Sequence, residues 1–145
     1  MDSTEEETKR RSDAVTSNVS LIDLRLRQVN AKLLVLLPEL DLEVWPTVNP
    51  QMTVFDEHVI YDVTYDIAAQ DARGRRAIEA SATLTLIFQV MSEDIGSEDL
   101  AAFGALGVLS VAHPYIRELF HNITGRMGVP PLLLEVMPPE PEKRL

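Results

Sequence analysis

The chain has 145 residues, 46% hydrophobic and 25% charged, the size and balance of one globular domain with one core. Its formal net charge of −10 argues against a nucleic-acid binder, which needs a basic footprint to neutralise phosphates, and against docking on an anionic membrane surface. The lack of cysteine excludes a disulfide framework, a thiolate nucleophile and a Cys-based zinc site.

Residues 1–17 are polar and charged, lack apolar periodicity and are expected to form a disordered tail. Their opening, Met1 to Glu7, is acidic where a secretory signal would be basic and then apolar. The most apolar stretch, Leu100 to Ala112, reads as too short to span a bilayer. Together these predict a cytoplasmic protein.

The folded domain is expected over residues 18–137. Ile22, Leu24 and Leu26 alternate with Asp23, Arg25 and Arg27, the period of a half-buried strand. The apolar phase then shifts to Val29, Ala31 and Leu33, which predicts a bulge or bend near Arg27–Asn30. Leu40, Leu42 and Val44 alternate in a short second strand that Pro46 should stop. The third strand places Phe55, Val59, Tyr61, Val63, Tyr65 and Ile67 on one face. Asp71 to Gly74 is a turn signal. The fourth strand turns Ile78, Ala80, Ala82, Leu84, Leu86, Phe88 and Val90 inward, and the short gap implies an antiparallel hairpin.

The period then becomes helical. Ser97 reads as the N-cap, with Glu98 and Asp99 at the positive end of the helix dipole. Leu109, Ala112, Ile116, Leu119, Phe120 and Ile123 form an apolar stripe. Pro114 predicts a kink near Val111–His113, and Gly125 suits the helix stop. A short Pro-rich charged tail occupies 138–145. Four strands followed by helix indicate an α+β fold, a four-stranded antiparallel sheet with a long kinked helix covering one face.

The catalytic inventory is thin. His113 and His121 are too far apart for a helical zinc motif, and His58 lies on a polar strand face. Asp62 and Asp66 share a strand face without a third ligand, and read as a solvated surface. No phosphate-binding glycine loop or nucleophile elbow is present. No enzyme activity, metal or cofactor is expected. The unusual feature is apolar surplus: Leu33 to Leu37, Leu40, Leu42, Val44 and Trp45 in one stretch, and Val129, Leu132, Leu133, Leu134, Val136 and Met137 in another. Large exposed apolar patches mark interaction sites, while burial in an oligomer or in the core remains the alternative for most of these residues.

The block Ala112-His113-Pro114-Tyr115-Ile116-Arg117-Glu118-Leu119, then Ile123-Thr124-Gly125-Arg126, then Val129-Pro130-Pro131-Leu132-Leu133-Leu134 resembles the C-terminal block of SecB-type chaperones. It looks most like the SecB-like chaperones that accompany toxin–antitoxin pairs. The strand order and Asp41-Leu42-Glu43 also fit. The resemblance spans residues 18–137, and only 113–135 is specific. It implies an ATP-independent chaperone that holds unfolded polypeptides, preproteins or an antitoxin in apolar grooves. It further implies a homotetramer built as a dimer of dimers. Leu33, Val35, Leu37, Leu40, Leu42, Val44, Trp45, Val129 and Leu132 are then expected to bind client. Tyr115, Ile116, Leu119 and Phe120 are expected at the oligomer interface. Pro138-Pro139-Glu140-Pro141 forbids the second C-terminal helix of export-type members, which puts contact with the SecA motor in doubt. The alternatives are an α+β binding module for one protein partner and a small-ligand binder.

Overall fold

The computed structural model describes residues 3–141. In chain order the elements are α1 (Ser3–Thr16), β1 (Val19–Leu33), β2 (Glu43–Phe55), β3 (His58–Gln70), β4 (Arg76–Val90), α2 (Ser97–Ala105) and α3 (Gly107–Arg126). The strands form one antiparallel sheet in the order β1-β4-β3-β2. The helices cover one of its faces, as expected from the sequence.

The two central strands follow their alternation. Val59, Tyr61, Val63, Tyr65, Ile67 and Ala69 of β3 are buried, and so are Ile78, Ala80, Ala82, Leu84, Leu86 and Phe88 of β4. All of these except Ala69 and Ile78, which belong to a second cluster, meet Leu100 and Phe103 of α2 and Leu109, Ala112, Ile116 and Phe120 of α3 in the main core. Tyr61, Phe88 and Phe103 pack edge-to-face with ring centroids 5.1–5.9 Å apart, the arrangement that ring quadrupoles favour. A Cβ on Gly104 would lie 2.9 Å from the Tyr61 ring. Only glycine lets α2 sit this close to β3.

Register shifts in β1 fall at Leu21/Asp23 and Leu26/Gln28. The second matches the predicted bulge. The first, around Ile22, was hidden because Ile22 keeps the alternation apolar while turning it out of the core phase. With both shifts, Leu21, Leu24, Leu26, Val29, Ala31 and Leu33 pair with the inward residues of β4.

Several expectations need correction. β2 runs through Pro46 and Pro50 to Phe55. It is an edge strand bonded to β3 alone, so prolines whose nitrogens face outward remove no ladder bond. Leu40 and Leu42 precede it in a loop. Phe55 ends β2, and a turn at Asp56 (φ 52°) leads into β3. The helical segment breaks at Leu106 (φ −124°, ψ −71°), not beside Pro114, which sits inside α3. Gly96, not Ser97, is the N-cap of α2, and its N–H donates to the Asp99 carboxylate at 3.1 Å. The left-handed residue after α3 is Gly128 (φ 79°), while Gly125 stays helical.

Of the predicted disordered tail, residues 3–16 form α1, and Met1 and Asp2 lie outside the described residues. Composition argued for disorder, and three tertiary anchors override it. Arg11 forms ion pairs with Glu98 at 3.1 Å and Asp99 at 3.0 Å. Ser12 Oγ accepts the N–H of Gly107 at 3.2 Å, capping α3 from another helix. Val15 is fully buried in the core. At the other end, Pro141 makes an isolated parallel bridge to Val48 on the β2 edge, and 142–145 lie outside the described residues. Taken end to end, Ser97–Arg126 is long and apolar enough to cross a membrane, contrary to expectation from Leu100–Ala112 alone. Half of its most apolar window is buried within the protein, as in a core helix.

Candidate functional site

Helices cover β3 and β4 and leave the inward face of β1 open. Leu21, Leu26 and Val29 point to the same side as the core, yet are 44%, 48% and 43% exposed. This apolar strip continues at Leu33 into a second cluster, where Ala69, Ala77, Ile78, Val129 and Leu132 are buried and Leu33, Val35, Leu42 and Val44 pack against them. There the loop after β1 meets the segment after α3. Leu40, Asp41, Leu42 and Val44 form one wall of a cleft of about 300 Å³, and Pro130, Pro131, Leu132 and Leu133 form the other.

The loop wall is held by Asp71. Its side chain is fully shielded and accepts hydrogen bonds from Glu39 N at 3.2 Å, Arg73 N at 3.0 Å and Arg75 N at 3.0 Å. Arg75 adds a forked ion pair at 2.9 and 2.7 Å. Ala72 N also donates to Glu39 O at 2.7 Å. Burial pushes the Asp71 carboxyl up, but these donors outweigh it and hold the pKa at about 2.

The other wall is pinned to α3. His113 Nε2 contacts Glu135 O at 2.6 Å, Arg117 Nε donates to Leu134 O at 2.8 Å, and Leu132 N donates to Thr124 Oγ1 at 2.8 Å. His113 Nδ1 lies 2.8 Å from Tyr65 Oη. A backbone carbonyl only accepts, so Nε2 carries the proton and Tyr65 donates to Nδ1. Arg117 therefore pairs with a carbonyl, not with Glu118, whose partner is Asn122.

The expected client-binding residues separate into three groups. Leu33, Val35, Leu42, Val44, Val129 and Leu132 come together, with Val129 and Leu132 as buried support beneath the surface. Leu40 lines the cleft, and Leu37 is 84% exposed at the loop tip. Trp45 does not join them. It pairs with Ala68 on the opposite sheet face and borders a larger polar cleft with Lys32, Thr47, Asp66, Arg76 and Glu79. Sequence reasoning continued the leucine stretch into Trp45, but strand alternation sends Val44 and Trp45 to opposite faces. Outside the expected set, the exposed face of β1 and Leu133 adjoin these residues; one-sided alternation and the leucine run were the sequence signals for them. Of the expected interface residues, Ile116 and Phe120 are buried in this chain's own core, which leaves them no free surface. Tyr115 is exposed and Leu119 half-buried. Asp62 accepts from Thr85 and lies 3.4 Å from Arg27, on the face away from the helices.

No protein-family profile matches the chain. Two curated proteins, the SecB-like chaperones Rv1957 and MT2006 of two Mycobacterium tuberculosis strains, are each 34% identical to it over 76 residues. The match covers 52% of this chain and 39% of each relative. A solved structure of the Mycobacterium tuberculosis SecB-like chaperone, in complex with a ChAD peptide from the HigA1 antitoxin, superposes with a TM-score of 0.80 at 20% identity. It covers 90% of this chain and 99% of that one. The family resemblance read from the sequence thus agrees with the curated relatives that the chain matches, and the fold of this chain is that of a SecB-like chaperone.

Proposed function

We propose that this protein is an ATP-independent, SecB-like chaperone that holds extended apolar segments of other polypeptides. The observation that carries this reading is the continuous uncovered apolar surface. It runs from Leu21, Leu26 and Val29 on β1 to the cleft between Leu40–Val44 and Pro130–Leu133. A monomer that left so much inward-pointing leucine and valine open without a partner would aggregate. Each client leucine or phenylalanine buried there contributes about 1.5–3 kcal/mol. Three or four such contacts give affinity without a fixed client sequence, and joining several copies adds avidity.

The binding surface consists of Leu21, Leu26, Val29, Leu40, Leu42 and Leu133, supported by Leu33, Val35, Val44, Val129 and Leu132. The open edge of β1 suits pairing between copies, in keeping with a dimer of dimers. The relatives are chaperones, a non-enzymatic class, and we take this chain to be non-catalytic and cytoplasmic. The neighbour seen with an antitoxin peptide favours an antitoxin as one client. The net charge of −10 favours basic segments.

The test is suppression of aggregation of an unfolded protein without nucleotide, with titration of a labelled apolar peptide in parallel. Suppression at equimolar tetramer and saturable peptide binding are expected, and the absence of both overturns the proposal. Binding confined to one antitoxin tail would narrow it to a dedicated partner.

A further inference from the structure

The segment Leu132-Leu133-Leu134 poses a question of register. Leu132 and Leu134 are buried, whereas Leu133 is 65% exposed at the cleft. A slip by one residue toward the C-terminus would bring Pro131 and Leu133 inward and turn Leu132 and Leu134 out. Both arrangements fill the core with apolar side chains, so hydrophobicity alone does not choose between them.

Thr124, Arg117 and His113 make the choice. At 3.6 residues per turn their side chains leave α3 within about 40° of one another, in a single row. Each binds a main-chain atom, with Thr124 Oγ1 accepting from Leu132 N, Arg117 Nε donating to Leu134 O, and His113 Nε2 donating to Glu135 O. The segment therefore runs back along α3, antiparallel to it. The three contacts have distinct polarity, one acceptor and two donors. A slip would place Pro131, which has no N–H, opposite the acceptor Thr124. His113 and Thr124 are themselves buried, so an unmet partner there is penalised.

We infer that His113, Arg117 and Thr124 are positioning residues. By reading the main chain of 132–135 they fix its register, and so decide that Leu133 faces the client cleft while Leu132 and Leu134 face the core. The inference rests on the cleft proposed above as the client site, but its structural half is measurable without any client. It gives the block His113–Glu135 a physical task, since its separate parts form a row of side chains and the strand-like segment that the row holds.

The chain has no cysteine, so single thiols can report the register. Leu133→Cys and Leu132→Cys are made separately in the full chain, and thiol labelling rates are compared. Labelling of Leu133→Cys at least tenfold faster than Leu132→Cys is expected. Adding Thr124→Val or Arg117→Leu should bring the ratio toward one, and Arg117→Lys, which keeps a donor, should restore much of it. Circular dichroism confirms that each variant is folded; if Arg117→Leu is not, Thr124→Val and Arg117→Lys carry the comparison. An unchanged ratio in Thr124→Val overturns the inference. Affinity for a labelled apolar peptide should fall at least threefold wherever the ratio collapses, and a collapsed ratio with unchanged affinity overturns the link to the cleft. If the parent binds no peptide at all, the proposed function fails, while the labelling ratio still decides the register.

Discussion

The centre and the flank of the sheet's inner face are written in the same alphabet and meet different fates. Along β3 and β4 the inward row of tyrosine, valine, leucine and alanine disappears beneath α2 and α3. Along β1, an inward row of leucine, valine and alanine in the same pairing rows remains largely open. Alternation specifies which face a side chain takes. Whether that face is covered depends on where the helices land, and α2 and α3 pack over the central strands and leave β1 largely uncovered. The flank is thus apolar surface left over by the architecture, and it is the part available to another polypeptide.

The contrast can be broken most severely at its centre. Phe120→Ala should cost about 3–5 kcal/mol in urea unfolding, because it leaves a cavity beneath α3. The paired change Leu26→Ser with Leu42→Ser should lower affinity for an unfolded client about tenfold, or about 1.4 kcal/mol. Its shift in urea midpoint should be much smaller than that of Phe120→Ala. Comparable losses of stability at the two places would erase the distinction between centre and flank.

A third experiment concerns the cleft's loop wall. Asp71 titrates at about 2, against the ordinary 3.8. A group with a lowered folded pKa stabilises the fold fully above its unfolded value, and that contribution fades as pH falls from about 4 to 2. Asp71→Asn should flatten the stability profile in that window, which acid titration followed by circular dichroism measures. It should also loosen residues 36–41, seen as faster amide exchange. The smallest effect is expected of Trp45→Ser. On the opposite sheet face, it should leave client affinity within twofold of the parent. A large loss there would move the binding surface to the polar side.

How far the sequence carried the fold depended on whether a local signal had a local cause. The faces of β3 and β4 were legible because each polar residue confirms its apolar neighbour. The β1 bulge at Leu26/Gln28 was legible because the apolar phase visibly changes there, whereas the one at Ile22 was not. Pro46 misled because its effect depends on whether its strand lies at an edge, which is a property of the whole sheet. α1 was invisible because its three anchors, Asp99, Gly107 and the core around Val15, are remote in sequence. Of the expected client-binding residues, Leu40, Leu42 and Val44 do lie together along one cleft. Trp45 was misplaced for want of a register, and Leu133 was one of three leucines that composition cannot tell apart.

The two edges of the sheet are not equivalent. On β2, Pro46 and Pro50 withhold backbone donors, and the chain's own Pro141 bridges to Val48 between them. On β1 a fifteen-residue margin has no strand beside it among the described residues. Strand-to-strand addition can therefore proceed from one side only. If two copies meet through that side, antiparallel and related by a twofold axis, each consumes the other's open margin and presents only blunted ones. Strand addition then ends with that pair, and any further assembly has to use other surfaces than sheet edges.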